Sequence, residues 1–229
     1  MAPFGASRAG LMSVRRDAIP DSVEYHYDAT ELNVSDGSSI STWDDSVGGQ
    51  DLSGGGGASF TNDGINGNPS VTFDGVDDYF EFGGSVSLPY TVFLVTEYFI
   101  EDTVCWFRNG RSFEVSGPFD FGLFVATSDE ASDDDTIRND DVMPDSDTPS
   151  LLVIEALENG DVTVRKHDSG FDEVTSNIET ADIPSHDVGR DSRDQRYLDG
   201  QIGEIAYAES HFDSVLQSFE NDLLAKWGI

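Results

Sequence analysis

Several kinds of side chain in this sequence could do chemistry, and each demands its own spacing. Two carboxylates that cleave a glycosidic bond with retention must face each other across about 5–5.5 Å. The nearest local candidate is Glu97-Tyr-Phe-Ile-Glu101, whose acids share one face of a regular strand. Residues four apart along a strand are separated by about 14 Å, so Glu97 and Glu101 are too distant to act as a pair. Nucleophilic catalysis needs a histidine held beside a hydroxyl or thiol. His26, His167, His186 and His211 lie in no recognisable nucleophile context, and no Gly-x-Ser-x-Gly elbow occurs. One cysteine and scattered histidines give no zinc pattern either.

Oxygen ligands are abundant. The densest run is Asp129-Glu130 with Asp133-Asp134-Asp135, followed by Asp140-Asp141, Asp145 and Asp147. Neither group has the Gly and the closing Glu of an EF-hand loop, and an Asp run in an acidic chain is first of all a solvated face. Calcium, held around Asp129, Asp133 and Asp135, is the one cofactor these residues suggest. Carbohydrate binding needs aromatic rings beside amide and charged groups. The candidates are Tyr98, Trp106, Arg108 and Asn109, with His167, Asp168 and Phe171 at a hairpin end.

The background for these groups is an extreme charge balance. The 229 residues carry 45 acids against 12 bases, a net charge of −33. Such a surface repels nucleic acid and anionic bilayers, so neither is an expected partner. Disorder is excluded by 15 Phe, 7 Tyr and 3 Trp, which suffice to fill a core. Among the acids Asp outnumbers Glu 31 to 14, and the bases include only two lysines, Lys166 and Lys226. Short carboxylates without long apolar lysine stems suit a high-salt milieu, where repulsion is screened and acidity maintains solubility. No apolar stretch reaches the roughly 20 residues of a membrane span. Arg15-Arg16 is followed by Asp-Ala-Ile-Pro-Asp and not by an apolar run, so it does not read as an export signal. Synthesis in the cytoplasm is expected. Cys105, within Val-Cys-Trp-Phe, reads as a buried thiol.

The elements that must position the candidate residues are mostly strands. Residues 1–21 stand apart as a basic arm: the first 16 hold three of the 12 bases and no acid. Phe4, Arg8, Arg15 and Arg16 are its candidate assembly contacts. From residue 22 to 229 short runs alternate with turns. Strands are expected at 22–28, 70–74, 78–82, 120–126 and 200–208, and the nearly continuous apolar run 90–100 predicts a strand buried on both faces. Asn109-Gly110 and Asn159-Gly160 predict hairpins with type I′ turns. The acidic stretch 128–150, with nine Asp or Glu, and the polar stretch 182–195 read as solvated loops. Near the end, Ser214 and Gln217 suggest a capping box, Val215, Phe219, Leu223 and Trp227 a helical stripe, and Gly228 a stop. Many short strands with one terminal helix predict an all-β, two-sheet antiparallel sandwich.

Three stretches resemble the concanavalin A-like lectin/glucanase superfamily, in its laminin-G-like branch. They are Thr42-Trp43-Asp44-Asp45-Ser46, the run Gly64-Ile65-Asn66-Gly67-Asn68-Pro69 through Phe73-Asp74-Gly75 to Tyr79, and Leu198-Asp199-Gly200 through Ile205 with the closing Lys226-Trp227-Gly228. The match covers the chain from about residue 22 onward and implies a jelly roll. Members include sugar binders, hydrolases and structural modules, so the resemblance speaks for fold more than for activity. The hydrolases carry Glu-x-Asp-x-x-Glu, which is absent here, and Trp43, Phe73 and Trp227 read as core.

Together these readings predict a protein that is not an enzyme. The expected role is a lectin-like structural protein on the surface of a virion, from a halophilic archaeal virus: a capsid decoration, turret or tail-fibre component. Its expected partners are further copies of itself and other virion proteins, through the arm, and host surface glycans or glycoprotein. The competing readings are a glycan hydrolase or lyase of the same fold and a cell-encoded carbohydrate-binding module.

Overall fold

The computed structural model describes residues 19–99, 104–109, 113–119, 122–126, 136–191 and 196–229. The arm contacts Phe4, Arg8, Arg15 and Arg16, and the calcium candidates Asp129, Asp133 and Asp135, lie outside the described residues.

Two antiparallel sheets face each other, and a helix covers the far side of the first. The strands of the first sheet are β1 (Val23–Asp28), β4 (Ser59–Thr61), β5 (Ser70–Asp74), β7 (Tyr90–Tyr98), β12 (Ser150–Ala156), β13 (Asp161–His167), β14 (Phe171–Asn177) and β18 (Asp199–Ala208). The second contains β2 (Thr42–Trp43), β3 (Leu52–Gly55), β6 (Tyr79–Phe82), β8 (Val104–Asn109), β9 (Phe113–Phe119), β10 (Gly122–Ala126), β11 (Thr136–Asn139) and β15 (His186–Val188). Two short strands, β16 (Arg190–Asp191) and β17 (Arg196–Tyr197), form a separate ribbon, and α1 spans Ser214–Trp227.

The first sheet runs β14-β13-β12-β7-β18-β5-β4, and β1 pairs with the second half of β18. The second runs β11-β10-β9-β8-β15-β6-β3-β2. Between them lies an aromatic-rich core that includes Tyr27, Trp43, Phe73, Phe80, Phe82, Trp106, Phe107 and Tyr207. A second apolar layer joins the outer face of the first sheet (Phe93, Val95, Leu151, Val153, Ala206) to α1 through Leu216, Phe219, Leu223 and Trp227. Strands β7 and β12 are therefore covered on both faces, which explains their continuous apolar sequences.

Local chemistry departs from the sequence expectations in three places. Helix α1 is capped by Asp213, whose carboxylate accepts from the Val215 and Leu216 amides at 2.8 and 3.0 Å, and not by Ser214 with Gln217. Its buried stripe starts at Leu216, because Val215 points to solvent; Gly228 ends it in the left-handed conformation, as its sequence predicts. At 159–160 only Gly160 takes a positive φ, so the link is not a type I′ turn. The stretches expected to be loops contain β11, β15 and β16, and β14 had no counterpart in the sequence reading.

The helix is docked by a buried charge. Glu204, 3% exposed on β18, accepts from His26 Nε2 at 2.6 Å, Trp227 Nε1 at 2.8 Å and Lys226 Nζ at 2.5 Å. Lys226 also donates to Asp28 at 2.7 Å. A bulge at Gly203 lets the Trp227 indole lie against the strand: a Cβ there would come within 2.5 Å of the ring. Burial alone would raise the Glu204 pKa, but the His26 hydrogen bond and the Lys226 charge outweigh it and hold the carboxyl below its ordinary value.

A depressed carboxylate stabilises the fold above its unfolded pKa, and that contribution disappears as pH falls through the folded value. Glu204→Gln is thus expected to cost about 3 kcal/mol at neutral pH, the scale of a broken buried pair. The difference from the parent should shrink on acidification, as read by denaturant titration between pH 7 and pH 3. A deficit that stays constant with pH would refute the assignment.

Candidate functional site

Alternation along the second sheet determines what faces outward. Phe80 and Phe82 on β6, His186 and Val188 on β15, and Phe107 on β8 fill the core. Their neighbours Glu81, Asp187 and Arg108 must then face out, and register aligns them in one row: Ser53 opposite Glu81, Glu81 opposite Asp187, Asp187 opposite Arg108, Arg108 opposite Glu114. At the end of this row an open cleft of about 330 Å³ is lined by Glu81, Gly83, Arg108, Asn109, Ser185 and Asp187, among others.

The walls of the cleft are fixed by ion pairs. Arg108 Nη1 donates to Glu114 Oε1 at 2.8 Å and to Asp191 Oδ2 at 2.7 Å. Arg196, from β17, donates to the same two carboxylates, so the β16–β17 ribbon is tied to the sheet face. Burial pushes the Glu114 carboxyl above its ordinary value, against the opposing effects of Ser116 and Arg108. On the other side Arg190 Nε donates to Asp187 at 2.9 Å, its Nη2 lies 3.8 Å from Glu81, and its guanidinium sits 3.2 Å above the centre of the Tyr79 ring. Asn109 Nδ2 donates to the Ser185 carbonyl. Beneath the cleft, His186 Nδ1 is 3.0 Å from the Pro184 carbonyl, so that nitrogen carries the proton and Nε2 accepts from Tyr207 Oη at 2.9 Å. Burial lowers the His186 pKa to about 4, which keeps the ring neutral near pH 7.

The seven carbohydrate candidates fall in three places. Arg108 and Asn109 line the cleft. Tyr98 and Trp106 belong to the core: the Tyr98 hydroxyl donates to the Pro144 carbonyl at 2.9 Å and the Trp106 indole N–H to Thr96 Oγ1 at 3.0 Å, so neither ring is a platform. His167, Asp168 and Phe171 lie on the first sheet where β13 meets β14. There Phe171 is 57% exposed, His167 bonds Glu220 at 2.9 Å, and Asp168 pairs with Lys166 at 3.0 Å. Sequence reasoning missed Glu81, Asp187 and Arg190, which carry no local motif. Of the Glu97–Glu101 pair only Glu97 is described; burial and Asp147 raise its pKa.

Two other constellations have a chemical look. Ser46 Oγ is 2.7 Å from His26 Nδ1, whose other nitrogen meets Glu204, the order of a nucleophile relay. Yet the amides of Val47, Gly48 and Gln50, which would cradle an oxyanion beside Ser46, donate to the Asp45 carboxylate. The arrangement holds the loop to β1. Asp74, Asp77 and Asp78 bring carboxylate oxygens within 4.8 Å of one another. Asp74 Oδ1 already accepts from the Val76 amide at 2.9 Å and Asp78 Oδ2 from the Asp74 amide at 3.0 Å, leaving fewer oxygens than the roughly six to eight that calcium takes. These acids brace their own turn.

No family model matches the chain, and no curated protein does. Solved structures do. Domain 4 of AbnA, a GH43 extracellular arabinanase from Geobacillus stearothermophilus solved with arabinotriose, matches with a TM-score of 0.57 at 17% identity, covering 84% of this chain and 94% of that one. Trypanosoma rangeli sialidase in complex with sialic acid gives 0.57 at 9%, over 86% of this chain and 32% of the sialidase. The binding domain of botulinum neurotoxin serotype D gives 0.57 at 8%, over 89% and 53%. The chain thus spans nearly all of the arabinanase domain but about a third of the sialidase and half of the toxin domain. At these identities the likeness establishes the β-sandwich fold.

The ionic wall yields a test. Arg108→Leu leaves Glu114 and Asp191 buried with one guanidinium fewer, an expected loss of about 3 kcal/mol. Because the pairs are buried, salt at about 1 M should not remove that loss. Denaturation at low and molar NaCl measures it; a deficit that vanishes in molar salt would show the pairs to be solvent-screened.

Proposed function

We propose that this chain is a non-catalytic carbohydrate-binding module of the laminin-G-like, concanavalin A-like type, and that it binds glycan in the cleft on the outer face of its second sheet. The observation that carries this reading is the cleft: it juxtaposes an amide, two carboxylates and fixed backbone on a rigid sheet. Planar polar groups of that kind match the paired hydroxyls of a sugar ring, and their positions are set by ion pairs before any ligand arrives. The same fold carries arabinotriose in the arabinanase domain structure and occurs in the sialidase solved with sialic acid, which supports a sugar as the ligand class.

A binding role is favoured over hydrolysis by the state of the two acids. Glu81 and Asp187 are direct cross-strand neighbours, with Cβ atoms about 5 Å apart. Arg190 bonds Asp187 at 2.9 Å and comes only to 3.8 Å from Glu81, so Asp187 is committed to an ion pair while Glu81 stays open to accept hydrogen bonds from a ligand. The acidic, lysine-poor composition and the basic arm support a location on the outside of a halophilic archaeal virus particle. There the arm would join the chain to copies of itself or to other virion proteins, and the cleft would meet host glycans.

A glycan array in molar NaCl, with and without chelator, tests the binding and any calcium requirement together. The parent chain should bind at least one glycan family, Asn109→Ala should weaken that binding about tenfold, and no reducing sugar should be released. Silence across the array, or turnover of a bound glycan, would overturn the reading. Deleting residues 2–16 should abolish assembly while glycan binding persists; a truncated chain that assembles normally would remove the anchoring role.

A further inference from the structure

The charged groups around the cleft are not balanced, and the imbalance names a ligand class. We infer that the cleft selects glycans whose hydroxyls or amines donate hydrogen bonds and which carry no carboxylate, phosphate or sulfate, with Glu81 and Asp187 as the selecting residues. This rests on the glycan-binding role proposed above and sharpens it.

Among the described residues, each positive charge near the cleft is already committed. The Arg108 side chain is 6% exposed and bonded to two buried carboxylates, and Arg196 serves the same two. Arg190 is bonded to Asp187 and stacked on Tyr79. The His186 ring is engaged by the Pro184 carbonyl and the Tyr207 hydroxyl beneath the cleft. What remains towards a ligand is mainly accepting. The Glu81 side chain is 60% exposed with its nearest cation at 3.8 Å, and Asn109 has one N–H on Ser185 and keeps its carbonyl oxygen as an acceptor. Among the described residues, one arginine against Glu81 and Asp187 leaves the rim with net negative charge.

Salt makes this local. In about 1 M salt the Debye length is about 3 Å, so the overall charge of −33 is screened at a distance and cannot by itself repel an acidic glycan. Groups in direct contact escape that screening. A uronic, sialic or sulfated residue in the cleft would set its anion against Glu81, with no uncommitted cation among the described residues to receive it. A neutral or amino sugar would instead donate to Glu81 and Asp187, a charge-assisted hydrogen bond stronger than a neutral one.

Calorimetry of the full chain in molar NaCl tests the assignment, using oligosaccharides of one backbone in neutral, amino, uronic, sialylated and sulfated forms. Neutral or amino forms should bind at least about tenfold more tightly than the acidic ones. Glu81→Gln, at an exposed position that should not disturb folding, should weaken the neutral ligand and narrow the ratio, and Asp187→Asn should act in the same direction. Preference for an acidic glycan, or a ratio unchanged by Glu81→Gln, would overturn the selectivity and leave the binding role standing. No binding of any form would overturn both.

Discussion

A carboxylate buried between a sheet and a helix is costly unless every one of its donors is in place. Glu204 meets that condition only when two distant parts of the chain converge on β18: His26 from β1, and Lys226 and Trp227 from the end of α1. Its satisfaction fixes the helix on the outer face of the first sheet and β1 alongside β18. With one face of that sheet under the helix and the other against the second sheet, its central strands have no surface to offer. The outer face of the second sheet is left to present side chains, and there the cleft lies.

Much of this was legible in the sequence, for a physical reason. Strands covered on both faces, such as β7, leave an unbroken apolar run, and Gly228 signals a helix stop because the left-handed conformation disfavours other residues. The edge strand β14 left no signal: its residues alternate between exposed and half-exposed, so Phe171–Asn177 reads as polar chain. Strands β11 and β15 are hidden similarly, since they are short and their outward positions are polar like the loops around them.

The site was half visible. Arg108 and Asn109 could be named from type and context, but Glu81 and Asp187 are distant in sequence and meet only through strand order. Trp106 was misread because of a bulge. The register of β8 against β9 shifts between Cys105 and Phe107, so Trp106 and Phe107 are both buried where strict alternation would have sent one of them out.

Most bases among the described residues are held in ion pairs. Lys226 serves Glu204 and Asp28, Lys166 serves Asp168 and Asp172, and Arg108, Arg190 and Arg196 hold the cleft and its ribbon. Exposed charge among the described residues comes mainly from the acids. Buried pairs need a protein counterion because mobile salt does not reach them.

The partnership of β1 with β18 has a consequence for how the chain is made. His26 and Glu204 are 178 positions apart. At about 5–20 residues per second, a ribosome takes on the order of ten to thirty seconds to produce the partner of the first strand. Through that interval β1 and the strands after it have an incomplete sheet and no helix cover, the condition in which nascent β-proteins stick to one another. A growing chain dense in aspartate stays hydrated and soluble through that interval. The acidity of this protein therefore also guards a fold that cannot close until Trp227 has left the exit tunnel.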